Sequence, residues 1–167
     1  MRNINMVQQD DFSINPITAY IGAIADNTFN KFNSVILDDG VSITFGDALC
    51  AGSEDHTAAP FKGTNKFFKG VYFRRFMKSG RAIGGTATSP QPGSEQLVML
   101  DGTIWVTASN AVTAGDKACL TTANKWAGGH VVGNFELEGA TFLTSAAKDE
   151  KVKLELTGGR HLTEITA

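Results

Sequence analysis

The sequence predicts an all-β fold, an antiparallel β-sandwich or jelly-roll-like barrel with an extended N-terminal arm. Three observations predict it. From about residue 34 onward the chain breaks into short apolar runs separated by turn dipeptides. Glycine is abundant, 18 in 167 residues, and most glycines sit beside Asp, Asn or another Gly, a composition of many turns rather than long helices. No stretch sustains the period of an amphipathic helix, and strands recurring at this spacing argue for a sandwich or barrel. A chain of this length is most simply one domain, burying roughly 70% of its unfolded surface. The expected organisation is an arm over 1–33, a β domain over 34–156 and a C-terminal tail over 157–167.

The arm carries Pro16 and a scatter of Phe12, Ile14, Ile17, Tyr20, Ile21, Phe29 and Phe32 with no sustained period. It either packs on another molecule or covers the domain's own core. Next, "NSVIL" and "VSITF" flank Asp38-Asp39-Gly40, while "QLVML" and "TIWVT" flank Asp101-Gly102, so each pair reads as a hairpin. Between them "KFFKGVYFRRF" reads as a strand with a bulge or close packing point at Gly70. Strict alternation along it puts Phe68, Tyr72 and Phe76 on one face and Phe67, Val71 and Phe73 on the other. A Gly/Ser/Pro-rich loop follows over 79–95. Further strands are expected at "KACLT", "HVVG", "FELEG", "TFLTS" and "KVKLEL".

Two segments are near copies, "ITFGDALC" at 43–50 and "VTAGDKAC" at 112–119. An enzyme built on Asp47 or Asp116 with the neighbouring cysteines needs a base or metal in reach. His56, His130 and His161 lie in separate stretches, without metal-ligand or triad spacing. Gly46-Asp47 and Gly115-Asp116 are therefore expected to be structural corners, where Gly permits an unusual backbone angle and Asp bonds nearby amides. Cys50 and Cys119 read as buried, inert thiols, too few for a disulfide framework. No phosphate-binding loop appears, for "GRAIGG" lacks the Lys-Ser/Thr ending. No catalytic residue, metal or cofactor is expected. No basic region leads into an apolar run, and no window approaches 18 consecutive apolar residues, so neither a cleaved export signal nor a membrane span is expected.

Charge is nearly balanced at −2, yet Lys62, Lys66, Lys69, Arg74, Arg75, Lys78 and Arg81 form a run of seven cations with no acid among them. The rest of the chain therefore carries a net −9. Cations interleaved with aromatics suit single-stranded nucleic acid, but both faces of one strand cannot serve as a stacking platform. Contact with an acidic protein patch is the favoured reading; direct nucleic-acid binding ranks well below it.

With "IGAIADNTFNKFNS" at 21–34, "VSITFGDALCAG", "FKGVYFR", "GTIWVTASNAVTAGDKACLT" and "GATFLTSAAKDEKVKLEL" at 139–156 in view, the chain resembles the capsid cement, or decoration, proteins of tailed bacteriophages. The order of these segments over more than a hundred residues carries the resemblance. It implies a non-enzymatic β protein, made in the host cytoplasm, that coats the outside of an icosahedral head. Its implied partners are the major capsid protein and itself, as a small homo-oligomer with a dimer favoured over a trimer. On this reading Phe12, Ile14, Ile17, Tyr20 and Ile21 anchor the arm, and Lys62 to Arg81 supplies charge complementarity. The alternative is a carbohydrate-binding or adhesin β-sandwich of a virion, in which Trp126, after a polar turn, is the exposed aromatic, while Trp105 in its apolar strand is core.

Overall fold

Apolar side chains alternate along β1, Lys31–Leu37, so that Val35 and Leu37 turn inward while Phe32 and Ser34 do not. This strand begins a small closed barrel in the computed structural model, which describes residues 20–26, 29–74, 85–86, 89–90 and 95–167. The other staves are β2 (Ala48–Ala51), β3 (Thr57–Pro60), β4 (Phe68–Tyr72) and the first half of β7 (Glu95–Thr107). Pairing runs β1 to β3, β3 to β2, β2 to β4, β4 to β7, and from β7 back to β1. Val35, Leu37, Ile43, Leu49, Ala58, Tyr72 and Val98 fill its interior. The β1–β3 pair is parallel, which corrects the wholly antiparallel expectation. Two-residue strands β5 (Gly85–Thr86) and β6 (Ser89–Pro90) pair with each other in a separate small sheet.

The second half of β7 leaves the barrel and enters an open sheet. Asp101 pairs with Lys31 of β1 on one edge and with Thr157 of β11 on the other. Beyond it β11 (Lys151–Thr157) follows β7 as far as Thr107. Next come β10 (Phe135–Phe142), β8 (Lys117–Leu120) and β9 (Trp126–Gly128), with β12 (Leu162–Glu164) also on β10. The larger core lies between this sheet and the barrel wall: Phe61, Phe68, Val71 and Phe73 meet Leu120, Trp126, Phe142 and Leu154. Each such side chain contributes about 1.5–3 kcal/mol by leaving water.

Neither expected hairpin forms. Asp101-Gly102 lies inside β7, because Gly102 takes φ +126° and the strand continues straight. A Cβ at Gly102 would collide with the Asn30 side chain. After the turn at Asp39-Gly40, "VSITF" stays out of the sheet, for local groups take its backbone: the Val41 amide donates to the Asp38 main-chain carbonyl, and the Thr44 amide to the Asp47 carboxylate. "HVVG" is a loop that exposes Val131 and Val132. Gly70 is a bulge, with φ +144° and a register shift opposite it in β2. That extra residue breaks the alternation, so Phe68, Val71 and Phe73 all face the larger core while Tyr72 turns into the barrel.

The ends assigned to arm and tail are partly built into the domain. The amide of Gly22 donates to the carbonyl of Trp105 at 2.7 Å, that of Ala25 to Thr103 at 2.8 Å, and Ala23 accepts from the Trp105 amide at 3.0 Å. Residues 22–25 thus continue the β1 edge along the second half of β7.

Candidate functional site: a docking face at the first Gly-Asp corner

The two Gly-Asp segments fold alike. In Thr44–Asp47 the Asp47 amide donates to the Thr44 carbonyl at 3.1 Å, and its carboxylate accepts from the Thr44 amide at 2.8 Å and hydroxyl at 3.1 Å. In Thr113–Asp116 the matching amide-to-carbonyl and amide-to-carboxylate bonds are 3.0 and 2.8 Å. Gly46 and Gly115 supply φ of +88° and +95°. A third turn of the same design, Ala147–Glu150, precedes β11, with Asp149 at φ +65° and the Glu150 carboxylate capping the Ala147 amide at 2.9 Å. Each turn launches a strand, and the carboxylates hold amides rather than reactive groups. Cys50 and Cys119 are buried behind the first two. Burial pushes their thiols up, to about 12 and about 11, with Glu136 adding to the second.

The first corner also carries a surface. The Trp126 indole donates from Nε1 to the Gly46 carbonyl at 2.8 Å, tying the corner to β9. Phe45, at the tip, stacks on Tyr72 with ring centroids 4.9 Å apart. The Arg74 guanidinium lies 4.5 Å from the Phe45 centroid and 5.4 Å from that of Tyr20, within the range where a cation gains from a ring's negative face. The Arg74 amide donates to Gly22 at 2.6 Å. Tyr20 and Arg74 are therefore neighbours, and from them the chain continues to residues 1–19 and 75–84. A cleft of ≈ 320 Å³ opens beside them, lined by Ile21, Phe45, Asp47, Arg74, Asn124 and Trp126 among others. Tyr20 is 49% exposed, and Ile24, Phe29 and Phe32 on the following segment are exposed as well.

The remaining expected site residues scatter. Lys62 is exposed. Lys66 pairs with Glu164 at 3.5 Å and sits over the Phe135 ring. Lys69 is buried, its ammonium donating to the carbonyls of Asp55 at 2.6 Å and Thr57 at 2.8 Å, so its charge is spent on bracing β3 against β4. Phe12, Ile14, Ile17, Arg75, Phe76, Lys78 and Arg81 lie outside the described residues. The tryptophans are exchanged relative to expectation: Trp126 is 3% exposed in the core, whereas Trp105 faces outward, half-buried, with Lys153 Nζ 5.5 Å from its ring centroid. Strand parity explains Trp105, since Ile104 and Val106 on either side point inward. The sugar-binding alternative thereby loses the aromatic that carried it. Asn124 and Lys125 entered no sequence argument; their signal is the left-handed Asn124, φ +58°, in the tight turn before Trp126.

A second groove of ≈ 600 Å³ runs along β10, lined by Lys117, His130, Glu136, Glu138 and Glu164 among others. Lys117 and Glu136 pair there at 2.6 Å, and that hydrogen bond raises the Lys117 pKa. Among the described residues, no group of three or more His, Cys, Asp or Glu could hold a metal ion, and no helix is long and apolar enough to cross a membrane.

The class that the fold defines is a closed β-barrel joined through β7 to an open sheet. This fold is similar to that of a chain in the capsid of Myoviridae phage XM1, at a TM-score of 0.64 and 12% identity over 83% of this chain and 90% of that one. A weaker likeness, TM-score 0.47 at 9% identity over 79% of this chain and 98% of the other, is to the base of the head fibre gp8.5 of bacteriophage phi29. No match was found among curated proteins. The structural cement protein family (E217 gp24/Pam3 gp6) matches residues 7–157, and the chain belongs to that family. Its role is structural, as a capsid-stabilising component of the phage virion.

Proposed function

We propose that the protein clamps the exterior of a phage head by bridging neighbouring subunits of the major capsid protein. It does so as a small homo-oligomer, a dimer by preference, made in the host cytoplasm before it joins the shell. No cofactor, membrane or direct nucleic-acid contact enters this reading. The observation that supports it most is the meeting of Tyr20 and Arg74 on one face of a cement-family chain. The segment carrying Phe12, Ile14 and Ile17 and the one carrying Arg75, Lys78 and Arg81 both start there. The described part of this face, Tyr20, Ile21 and Arg74, joins apolar groups to a cation, so a partner with an acidic rim around an apolar groove would match it. Each contact can be modest, because many copies and linked contacts on one shell add avidity.

The test is co-sedimentation of the purified protein with shells of the major capsid protein, together with the shells' melting temperature. Saturable binding and a raised melting temperature are expected. Truncation of residues 1–19, which leaves the hydrogen bonds of residues 22–25 in place, should weaken binding without changing the protein's own melting. Undiminished binding by the truncated chain would remove the arm from the reading.

A further inference from the structure

The sheet half of the molecule repeats the plan of the barrel half. β8, β9 and β10 are arranged as β2, β3 and β4 are, with the second half of β7 standing where β1 does and β11 where the first half of β7 does. The main-chain bonds recur with the strands. Gly46 donates to Tyr72 at 2.7 Å and Tyr72 to Asp47 at 2.9 Å; Gly115 donates to Phe142 at 2.7 Å and Phe142 to Asp116 at 2.9 Å. Leu37 pairs in parallel with Ala58 as Ala108 does with Trp126, and the next amides, Asp38 and Ser109, donate to the carbonyls of Ala58 and Trp126 at 3.0 and 2.7 Å. Counting back along both strands from this match makes Ser34 the counterpart of Trp105 and Phe32 that of Thr103.

These counterparts differ in one respect. Thr103 and Trp105 turn their main-chain groups to an edge that residues 22–25 cover: Ala25 donates to Thr103 at 2.8 Å, Trp105 to Ala23 at 3.0 Å and Gly22 to Trp105 at 2.7 Å. Phe32 and Ser34 turn theirs to the matching edge of β1, because main-chain groups alternate along a strand and the Asp38 amide, on the same side, reaches β3. There β3 pairs with Ile36 and Leu37, and among the described residues no strand continues it along residues 31–35. Lys31, Phe32 and Ser34 are exposed. The Phe32 ring lies 4.6 Å from that of Phe73, centroid to centroid, so its place beside the edge is held. An open edge of this kind is a template for another strand.

The strand is complementary to itself. Phe32 and Ser34 flank Asn33 evenly, so a copy turned about a two-fold axis at Asn33 offers a carbonyl to each outward amide and an amide to each outward carbonyl. Lys31 then faces the partner's Val35 rather than the partner's Lys31, so like charges do not meet. The two Phe32 rings come together diagonally across the axis, within reach of aromatic side chains. We propose that this edge of β1 is the interface with a second copy of the chain, β1 pairing antiparallel with β1 so that Phe32 exchanges main-chain bonds with the partner's Ser34, and Ser34 with the partner's Phe32. One sheet then runs through both molecules. This inference rests on the homo-oligomer reading above and names its surface.

Two variants of the full chain test it. Ser34→Pro deletes the outward amide, a change that an edge strand tolerates. The dimer should weaken about thirtyfold by sedimentation equilibrium, because each copy loses one hydrogen bond of the pair, while the circular dichroism spectrum stays that of the unmutated chain. Asn33→Cys sets two thiols opposite each other at a non-hydrogen-bonded pair, with Cα atoms about 4.5 Å apart, within disulfide reach. Under mild oxidation it should become a covalent dimer, whereas Lys151→Cys, exposed on β11, should not. The cross-link decides alone if Ser34→Pro does not fold. A dimer that Ser34→Pro leaves within about twofold of its original affinity, well short of the loss of two hydrogen bonds, would overturn the interface and leave the homo-oligomer reading standing. So would an Asn33→Cys protein that is dimeric yet does not cross-link. An unmutated chain that sediments as a monomer at every concentration would overturn both together.

Discussion

Gly70→Ala probes the seam on which both cores depend. Gly70 sits in β4 at φ +144°, a backbone that a residue with a Cβ adopts only under strain, costing about 1–3 kcal/mol. The added Cβ would lie 2.6 Å from Val98 Cγ2 and 2.8 Å from the Met99 carbonyl oxygen. Val98 Cβ also lies 2.8 Å away, so turning the methyl gives no relief, and the carbonyl belongs to β7, so relief requires β4 and β7 to part. Overpacking of this kind adds about 1–3 kcal/mol, giving a loss centred near 4 kcal/mol. At about 2–4 °C per kcal/mol for a chain of this size, the melting temperature should fall by about 8–16 °C. Gly40→Ala is the control: it has φ +71° but nothing within 4 Å of the new Cβ, so only the backbone cost applies, about 1–2 kcal/mol. Calorimetry of the two variants beside the parent isolates the contact. Equal losses would refute the reasoning, because the bulge would then be strained only in its backbone and the β4–β7 approach would be looser than described.

Trp126→Phe keeps an aromatic in the core but leaves the buried Gly46 carbonyl without its donor; it should cost about 1–3 kcal/mol, read from the urea midpoint at unchanged m-value. For Asp38, desolvation raises the pKa, but hydrogen bonds from Thr57 and Ser53 and the Lys62 charge together hold it below 3.8. Its carboxylate therefore stabilises the fold above the unfolded pKa, and that stability is lost as pH falls through the lower folded value. Asp38→Asn should flatten the acid limb of a stability-against-pH curve below about pH 4, and an unchanged limb would contradict this. Cys50 and Cys119, with thiols at about 12 and about 11, should give no reaction with a disulfide reagent at neutral pH in the native protein and both react in denaturant. A fast native thiol would mean that one of these strands opens locally.

The all-β class and the Gly-Asp corners were legible because glycine position and β-branched runs act locally. Part of what failed depended on partners distant in sequence. Asp101-Gly102 has the composition of a tight hairpin, but Asn30 packs against Gly102, and β1 and β11 hold Asp101 from both sides, so the chain runs on as one strand. The bulge at Gly70 was foreseen, yet its effect on which aromatics share a face appears only once the register against β2 is known. The third corner escaped notice because a left-handed Asp149 and a capping Glu150 replace the Gly and Asp of the other two. Lys69 looked like part of a basic surface because charge alone does not reveal that two backbone carbonyls claim its ammonium. The cleft at the first corner was only half readable: Ile21 and Arg74 stood in the sequence argument, while Asn124 comes from a turn fifty residues further on.

β7 has a mechanical consequence. Among the described residues it is the one strand shared by barrel and sheet, and residues 22–25 lie along it, antiparallel, through bonds to Thr103 and Trp105. A pull on Tyr20 along the strand axis loads these bonds together in shear, and the load passes through β7 into the β11 ladder on its far edge. A pull perpendicular to that axis opens the same bonds one after another, like a zip. The fold is therefore stiff in one direction and yielding in another, so the angle at which tension arrives decides how much of the domain resists it.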